Sequence, residues 1–205
     1  MELDIDFYHG NEYPKATLGE FLTYIDLPEN INTTYELING RIVMMAGNTS
    51  FNHQRISGYI ARKIGNYLDG KQCEVVQDVN VFLYSKNVDE CKYIFQPDVM
   101  VGCDKTKMTK NGYNGAPEFV VEIISKSTAK KDHIIKFAGY MWHGVKEYWI
   151  VDMYKQIIWV YTENNEQDFP DKIQYTFNDT IKVGIFDDLY IDFNEILAAI
   201  DLTQN

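Results

Sequence analysis

Asp98 and Glu122 stand where a folded chain does not tolerate an unpartnered charge. Asp98 follows Pro97 in the run FQPDVMVG, and Glu122 interrupts FVVEIIS. An ionised carboxylate enclosed by valine and isoleucine is costly unless it is paired, hydrogen-bonded or bound to metal. Both runs are almost continuously apolar, as buried strands are. Neighbouring strands that each carry one such acid can bring both to a single divalent cation. Magnesium suits that arrangement, because it takes oxygen ligands and usually only one or two protein carboxylates, with waters or phosphate oxygens completing its shell. The alternative for each acid is a strand end, solvated or salt-bridged. Pro97 cannot donate to a ladder and marks a strand start or an irregular edge beside Asp98.

Local signals delimit the elements that would hold these acids. Residues 17–26 (TLGEFLTYID) predict a short helix with a Thr17 cap and Glu20 three places on, a capping box. YELINGRIVMM over 35–45 carries Asn39-Gly40 between two apolar runs and predicts a hairpin. In 50–68, Ile56, Ile60, Ile64 and Leu68 recur every four residues behind a Ser50 cap and before Gly70, which predicts an amphipathic helix. Three strand-like segments come next: CEVVQDVNVFLYS, YIFQPDVMVGC and EFVVEIIS. A helix is expected from about Thr128 to Trp142, capped by Ser127 or Thr128 and ended by Gly144. EYWIVDMYKQIIWVY reads as two strands turning near Tyr154-Lys155-Gln156. KIQYTF, a turn at Asn178-Asp179, a further strand and a closing helix over 192–200 complete the chain. Helices interspersed with strands imply an α/β chain with a mixed central sheet flanked by helices.

Composition bounds the function class. At 205 residues the chain suits one domain, with a core over about 17–161 and terminal strands and helix over 162–205. The net charge of −11 disfavours loose attraction to phosphate backbones. No apolar run approaches a membrane span, and MELDIDFYHG has no secretory pattern, so a cytoplasmic protein without membrane attachment is expected. Cys73, Cys91 and Cys103 fit neither a disulfide framework nor a zinc pattern, and are expected as buried free thiols. A phosphate-binding GxxxxGK[ST] loop, GxSxG, HExxH and CxxC are all absent.

The ordered segments YELINGRIVMMAG, NHQRISGYIARKIGNYL, FQPDVMVG and GAPEFVVEIISKSTAKKDHIIKFAGYMWHGVKEYWIVD resemble the Uma-type restriction-endonuclease family of the PD-(D/E)XK nuclease superfamily. The likeness runs from about Thr17 to Tyr161 and continues more weakly through GIFDDLYIDFNEIL. It implies a restriction-endonuclease-like core and magnesium- or manganese-dependent hydrolysis of nucleic-acid phosphodiesters, DNA first among the substrates. Pro97-Asp98 matches the superfamily's proline-aspartate, Glu122 its second acid, and Glu36 the family's acid in the YEL segment. A lysine is expected two residues after the second acid, on the same strand face. Ile124 stands there instead. Two lysines are candidates for its place. Lys136 shares one helical face with Asp132 and Tyr140 and can point back at the acids, or can pair with Asp132 on a solvent face. Lys126 has the right strand parity but lies about 7 Å further along.

Asp98 and Glu122 are thus the candidate metal ligands, with Lys136 and Glu36 as further catalytic candidates. Gln96 and His53 are candidates for substrate contact, though a strand-edge amide and a surface histidine are the plainer readings of them. Arg55, Arg62, Lys63, Lys130 and Lys131 could rim a phosphate site or simply be solvated. The expected activity is a metal-dependent endonuclease. The alternative is a catalytically silent nuclease-like module that binds DNA or a partner protein. A homodimer would match the two-fold symmetry of a duplex, and Tyr148, Trp149, Trp159 and Tyr161 could line its interface or pack the core.

Overall fold

A computed structural model describes residues 13–45, 50–124, 132–164 and 169–199. Short-range signals act first. Thr17 and Glu20 close a reciprocal capping box on α1 (Leu18–Ile25). Asn39 and Gly40 both adopt positive φ, 51° and 69°, forming the tight turn that joins β1 (Tyr35–Ile38) to β2 (Arg41–Met44). Ser50 Oγ accepts from the His53 N–H and caps α2 (Phe51–Leu68).

The strands form two six-stranded sheets and a two-stranded ribbon. The first sheet runs β2-β1-β5-β4-β8-β7, using β5 (Tyr93–Phe95), β4 (Val81–Leu83), β8 (Gly112–Asn114) and β7 (Met108–Thr109). The second runs β12-β11-β10-β9-β6-β3, with β12 (Asp171–Thr176), β11 (Ile157–Thr162), β10 (Glu147–Asp152), β9 (Phe119–Ile123), β6 (Val99–Gly102) and β3 (Glu74–Val76). β13 (Thr180–Lys182) and β14 (Tyr190–Asp192) make the ribbon. Fold class is as expected, but the single sheet is not. The runs CEVVQDVNVFLYS and YIFQPDVMVGC each break in the middle and supply one strand to each sheet. Asp78 at φ 53° and the Pro97-Asp98 bend are the breaks.

Period-two alternation distributes the core over three clusters. α2 and α4 (Phe193–Ala199) cover one face of the second sheet through Ile56, Ile60, Val99, Val121, Trp149 and Phe193. The other face meets the first sheet and α3 (Phe137–Trp142) through Met100, Val120, Tyr148, Ile38, Phe95 and Tyr140. α1 covers the far side of the first sheet through Phe21, Leu37 and Ile94. Tyr148 and Trp149 are fully buried here and so do not line an interface.

The cysteine expectation is corrected. Cys91 is a buried free thiol, but Cys73 and Cys103 form a disulfide. Antiparallel pairing of β3 and β6 sets Glu74 opposite Gly102, so the residues one step outward face each other. Thiol chemistry therefore gives no argument for a reducing compartment. Loop-closure entropy for a separation of 30 residues corresponds to roughly 3–4 kcal/mol. Denatured, unreduced protein should react with one equivalent of thiol reagent, and Cys73→Ser should lower the unfolding free energy by about 2–4 kcal/mol in denaturant titrations.

Glu147 opens β10 with its carboxylate 1% exposed, accepting from Trp149 Nε1 at 2.6 Å and the Ile185 N–H at 3.0 Å. Burial outweighs these donors and pushes its pKa from 4.5 to about 7. Folding therefore takes up a proton at this group. Its stabilising contribution is complete below pH 4.5 and is lost as the pH rises through about 7. The side-chain carboxyl carbon of Glu147 should titrate with a midpoint near 7 in a carbon-detected NMR series, where an exposed glutamate titrates near 4.5.

Candidate functional site

Glu36 and Glu122 reach the same space from different sheets. Glu36 shares its strand face with Ile38, which packs toward the second sheet, and Glu122 shares its face with Val120 and Ile124, which pack toward the first. Both carboxylates are buried, at 1% and 4% exposure. Lys136 lies between them, 3% exposed, with Nζ 2.7 Å from Glu122 Oε1 and 3.0 Å from Glu36 Oε1. The Tyr140 hydroxyl donates to the same Glu122 oxygen at 2.8 Å, and the backbone N–H of Gln96 donates to Glu36 Oε1 at 3.2 Å. Burial first, then the charge of Glu122, raises the Tyr140 pKa well above its usual value, so its hydroxyl stays a neutral donor.

Two local features aim the lysine. Residues Asp132–Lys136 form a π-helical turn running into α3, and Lys136 is its last residue. Such a turn widens the helix and shifts the phase of the side chains beyond it. One turn on, a Cβ at Gly139 would lie 2.5 Å from Phe95 Cε2, so only glycine lets α3 approach β5 this closely. Lys136 and Tyr140, four residues apart, then point together at Glu122. Ile124, where the superfamily pattern has lysine, is a core residue at 1% exposure. The ammonium reaches Glu122 from the helix instead of from the strand. The proposed partner Asp132 and the other candidate, Lys126, have no described side chain.

Asp98 keeps different company. Extending the register Val99 to Val121 sets it directly opposite Glu122, but it lies in the bend before β6. Its Oδ2 accepts from the Ile123 N–H at 2.6 Å and sits 3.3 Å from His53 Nε2. Asp98 is thereby joined to the Glu122 group through the backbone of Ile123, the next residue along β9. His53 is not the surface residue its place in α2 suggested, being 5% exposed. Burial alone would lower its pKa, but the hydrogen bond and charge of Asp98 outweigh burial and raise it. Ser57 donates to the Asp98 carbonyl at 3.3 Å, and Gln77 donates to Ser57. Asp78 completes this side. Burial and then the negative charge of Asp98 raise its pKa, with His53 opposing.

Asp78, Ser57 and Gln77 escaped the sequence reading. No residue pattern in the sequence marks them: Asp78 shows its positive φ, and Ser57 and Gln77 their contacts, only in the folded chain. Gln96 contributes its backbone N–H. Of the expected basic rim, Arg55 lies over Phe51, Arg62 over Tyr59, and Lys63 pairs with Glu195 at 2.9 Å, while Lys130 and Lys131 lie outside the described residues. Among the described residues, no three histidine, cysteine or acidic side chains converge as a closed metal cage. The donors present are carboxylate oxygens on adjacent strands. They suit a hard cation that keeps most of its waters, such as magnesium, and not a site closed by protein alone.

This architecture is that of a known class of protein. A crystal structure from Anabaena variabilis, described as a "putative nuclease belonging to DUF820", superposes with a TM-score of 0.69 at 18% identity, over 89% of this chain and 97% of that one. An uncharacterized protein of Synechocystis sp. is 28% identical over 159 residues, covering 77% of this chain and 79% of its own. The model of the Uma2 family, described as "Putative restriction endonuclease", matches residues 20–192, and the chain belongs to that family.

Replacing Lys136 by methionine would leave two buried carboxylates with no cation between them. Removing one partner of a buried ion pair costs about 3–5 kcal/mol. One carboxyl can recover by binding a proton, so the deficit of Lys136→Met should be largest near pH 8 and shrink toward pH 5 in paired thermal melts. An equal deficit at both pH values would show that the ion pairs are not its cause.

Proposed function

We propose that this chain is a metal-dependent endonuclease that hydrolyses phosphodiester bonds, with DNA the first substrate to try. The observation that carries the reading is Lys136, a helix-borne ammonium held against Glu122 and Glu36, with Asp98 in the bend before the neighbouring strand β6. Asp98 and Glu122 would hold Mg²⁺ or Mn²⁺. When bound there, such an ion lowers the pKa of a bound water and neutralises charge building on the phosphate. Lys136 supplies a preorganised positive charge for the same oxygens, at no cost in reorganisation because the two glutamates already fix it. Tyr140 holds Glu122 in orientation through its hydroxyl. Glu36 would accept a proton or anchor Lys136, which it contacts at 3.0 Å. His53 orients Asp98 from the opposite side. For a duplex substrate, a two-fold homodimer would bring one such site to each strand.

Belonging to the Uma2 family supports this reading, as does a carboxylate–lysine arrangement rebuilt without the strand lysine. The test is incubation of the purified protein with plasmid DNA and with RNA, with and without Mg²⁺ or Mn²⁺. Cleavage should require the metal and fall by about 10²–10⁴-fold in Asp98→Asn, Glu122→Gln and Lys136→Met, while Lys126→Ala cuts normally. Neither cleavage of any nucleic acid nor calorimetric metal binding would leave the other reading, a nuclease-like module that only binds.

A further inference from the structure

Glu122 lies on a cross-strand row that continues away from the acids. β9 and β10 pair with Glu122 beside Ile150, β10 and β11 with Ile150 beside Trp159, and β11 and β12 with Trp159 beside Gln174. Residues opposite one another project to the same face. Trp159 is therefore two strands from Glu122, roughly 10 Å at ordinary strand spacing, on the face that carries Lys136. It is half-buried, with part of the indole packed on the core cluster between the sheets.

Cations gather on this indole. Lys155 Nζ and Lys172 Nζ each lie 5.9 Å from its centroid, and Lys172 is also 5.5 Å from the Tyr161 ring. The His133 ring meets Trp159 edge-on at 4.5 Å. His133 belongs to the same π-helical turn as Lys136. Lys155 also contacts Asp152 at 3.3 Å, whereas Lys172 pairs with no carboxylate among the described residues. The His133 pKa is lowered by burial first and then by the charges of Lys172 and Lys155. Both lysines are exposed.

In a chain of net charge −11, a general grip on phosphate is not available. A local patch pairing an aromatic face with ammoniums is the chemistry of single-strand binding, where bases stack and cations hold the backbone. We propose that Trp159, with Lys172, Lys155 and His133, is a stacking platform for an unpaired nucleotide, and sets the chain's preference for single-stranded over duplex nucleic acid. The platform rests on the nuclease reading for its place beside a cutting site. A base stacked on Trp159 would leave its phosphate over Lys172.

The test is fluorescence anisotropy of a labelled oligonucleotide, single-stranded and as a duplex, with full-length protein in chelator so that binding is read without cutting. The single strand should bind more tightly. Trp159→Ala should weaken it by roughly 5–150-fold, the range of one base–aromatic stack, and Trp159→Tyr should recover most of the loss. Lys172→Glu, on an exposed edge strand where folding is not at risk, should weaken binding and flatten its salt dependence, while Lys172→Arg should not. Duplex binding as tight as single-strand binding, or single-strand binding unchanged in both Trp159→Ala and Lys172→Glu, would overturn the platform. Cleavage with Mg²⁺ is scored separately. Binding that depends on Trp159 without cleavage defeats the nuclease reading and leaves the platform, and cleavage with Trp159-independent binding does the reverse.

Discussion

Glu36 and Glu122 come from different sheets, and one ammonium, that of Lys136, reaches both of these buried acids. Coulomb attraction in a poorly solvated space repays the desolvation of such a trio only when geometry is good and further hydrogen bonds complete it. Here the Tyr140 hydroxyl and the Gln96 N–H provide them. The consequence is architectural. The first sheet, the second sheet and α3 are tied at one point by charge, and the surrounding apolar packing of Ile38, Phe95, Val120 and Tyr148 keeps water from loosening the tie. The absence of a side chain at Gly139 lets the helix come close enough to deliver the lysine.

Asp98 faces another set of neighbours, and the division is informative. His53 meets its carboxylate from α2, on the far side of the strand from Lys136. A carboxylate approached by an imidazole thus stands on the strand beside one held by an ammonium. The backbone N–H of Ile123 bridges the two, because it comes directly after Glu122 in the chain and donates to Asp98. A rearrangement that moved either acid would pull on the strand end shared with the other.

Much of this was legible before any coordinates. The capping box at Thr17, the Asn39-Gly40 turn, the four-residue spacing in α2 and the two lone acids are short-range signals, and each specifies its own local geometry. Three features were not legible, because they depend on which strands become neighbours. Cys73 and Cys103 pair only once β3 and β6 are in register. The run around Asp78 read as continuous, and Pro97 marked only a strand start or irregular edge, since apolar periodicity does not say which sheet a residue joins. The burial of His53 depends on α2 lying across the start of β6, which helical spacing alone leaves open. Lys136 was an intermediate case. Its helical face could be read, but the π-helical turn and Gly139 that aim it could not.

The order in which the charges appear along the chain has a consequence for synthesis. Glu36 is made first, then Glu122, and their counter-charge, Lys136, last of the three. A growing chain holding both acids but not yet the lysine would have to bury two anions to bring its sheets together, a cost that keeps them apart. Early closure of the two-sheet core around an incomplete centre therefore carries a penalty, either two buried anions or the uptake of a proton. Docking of α3 removes that penalty by bringing Lys136 between the two acids.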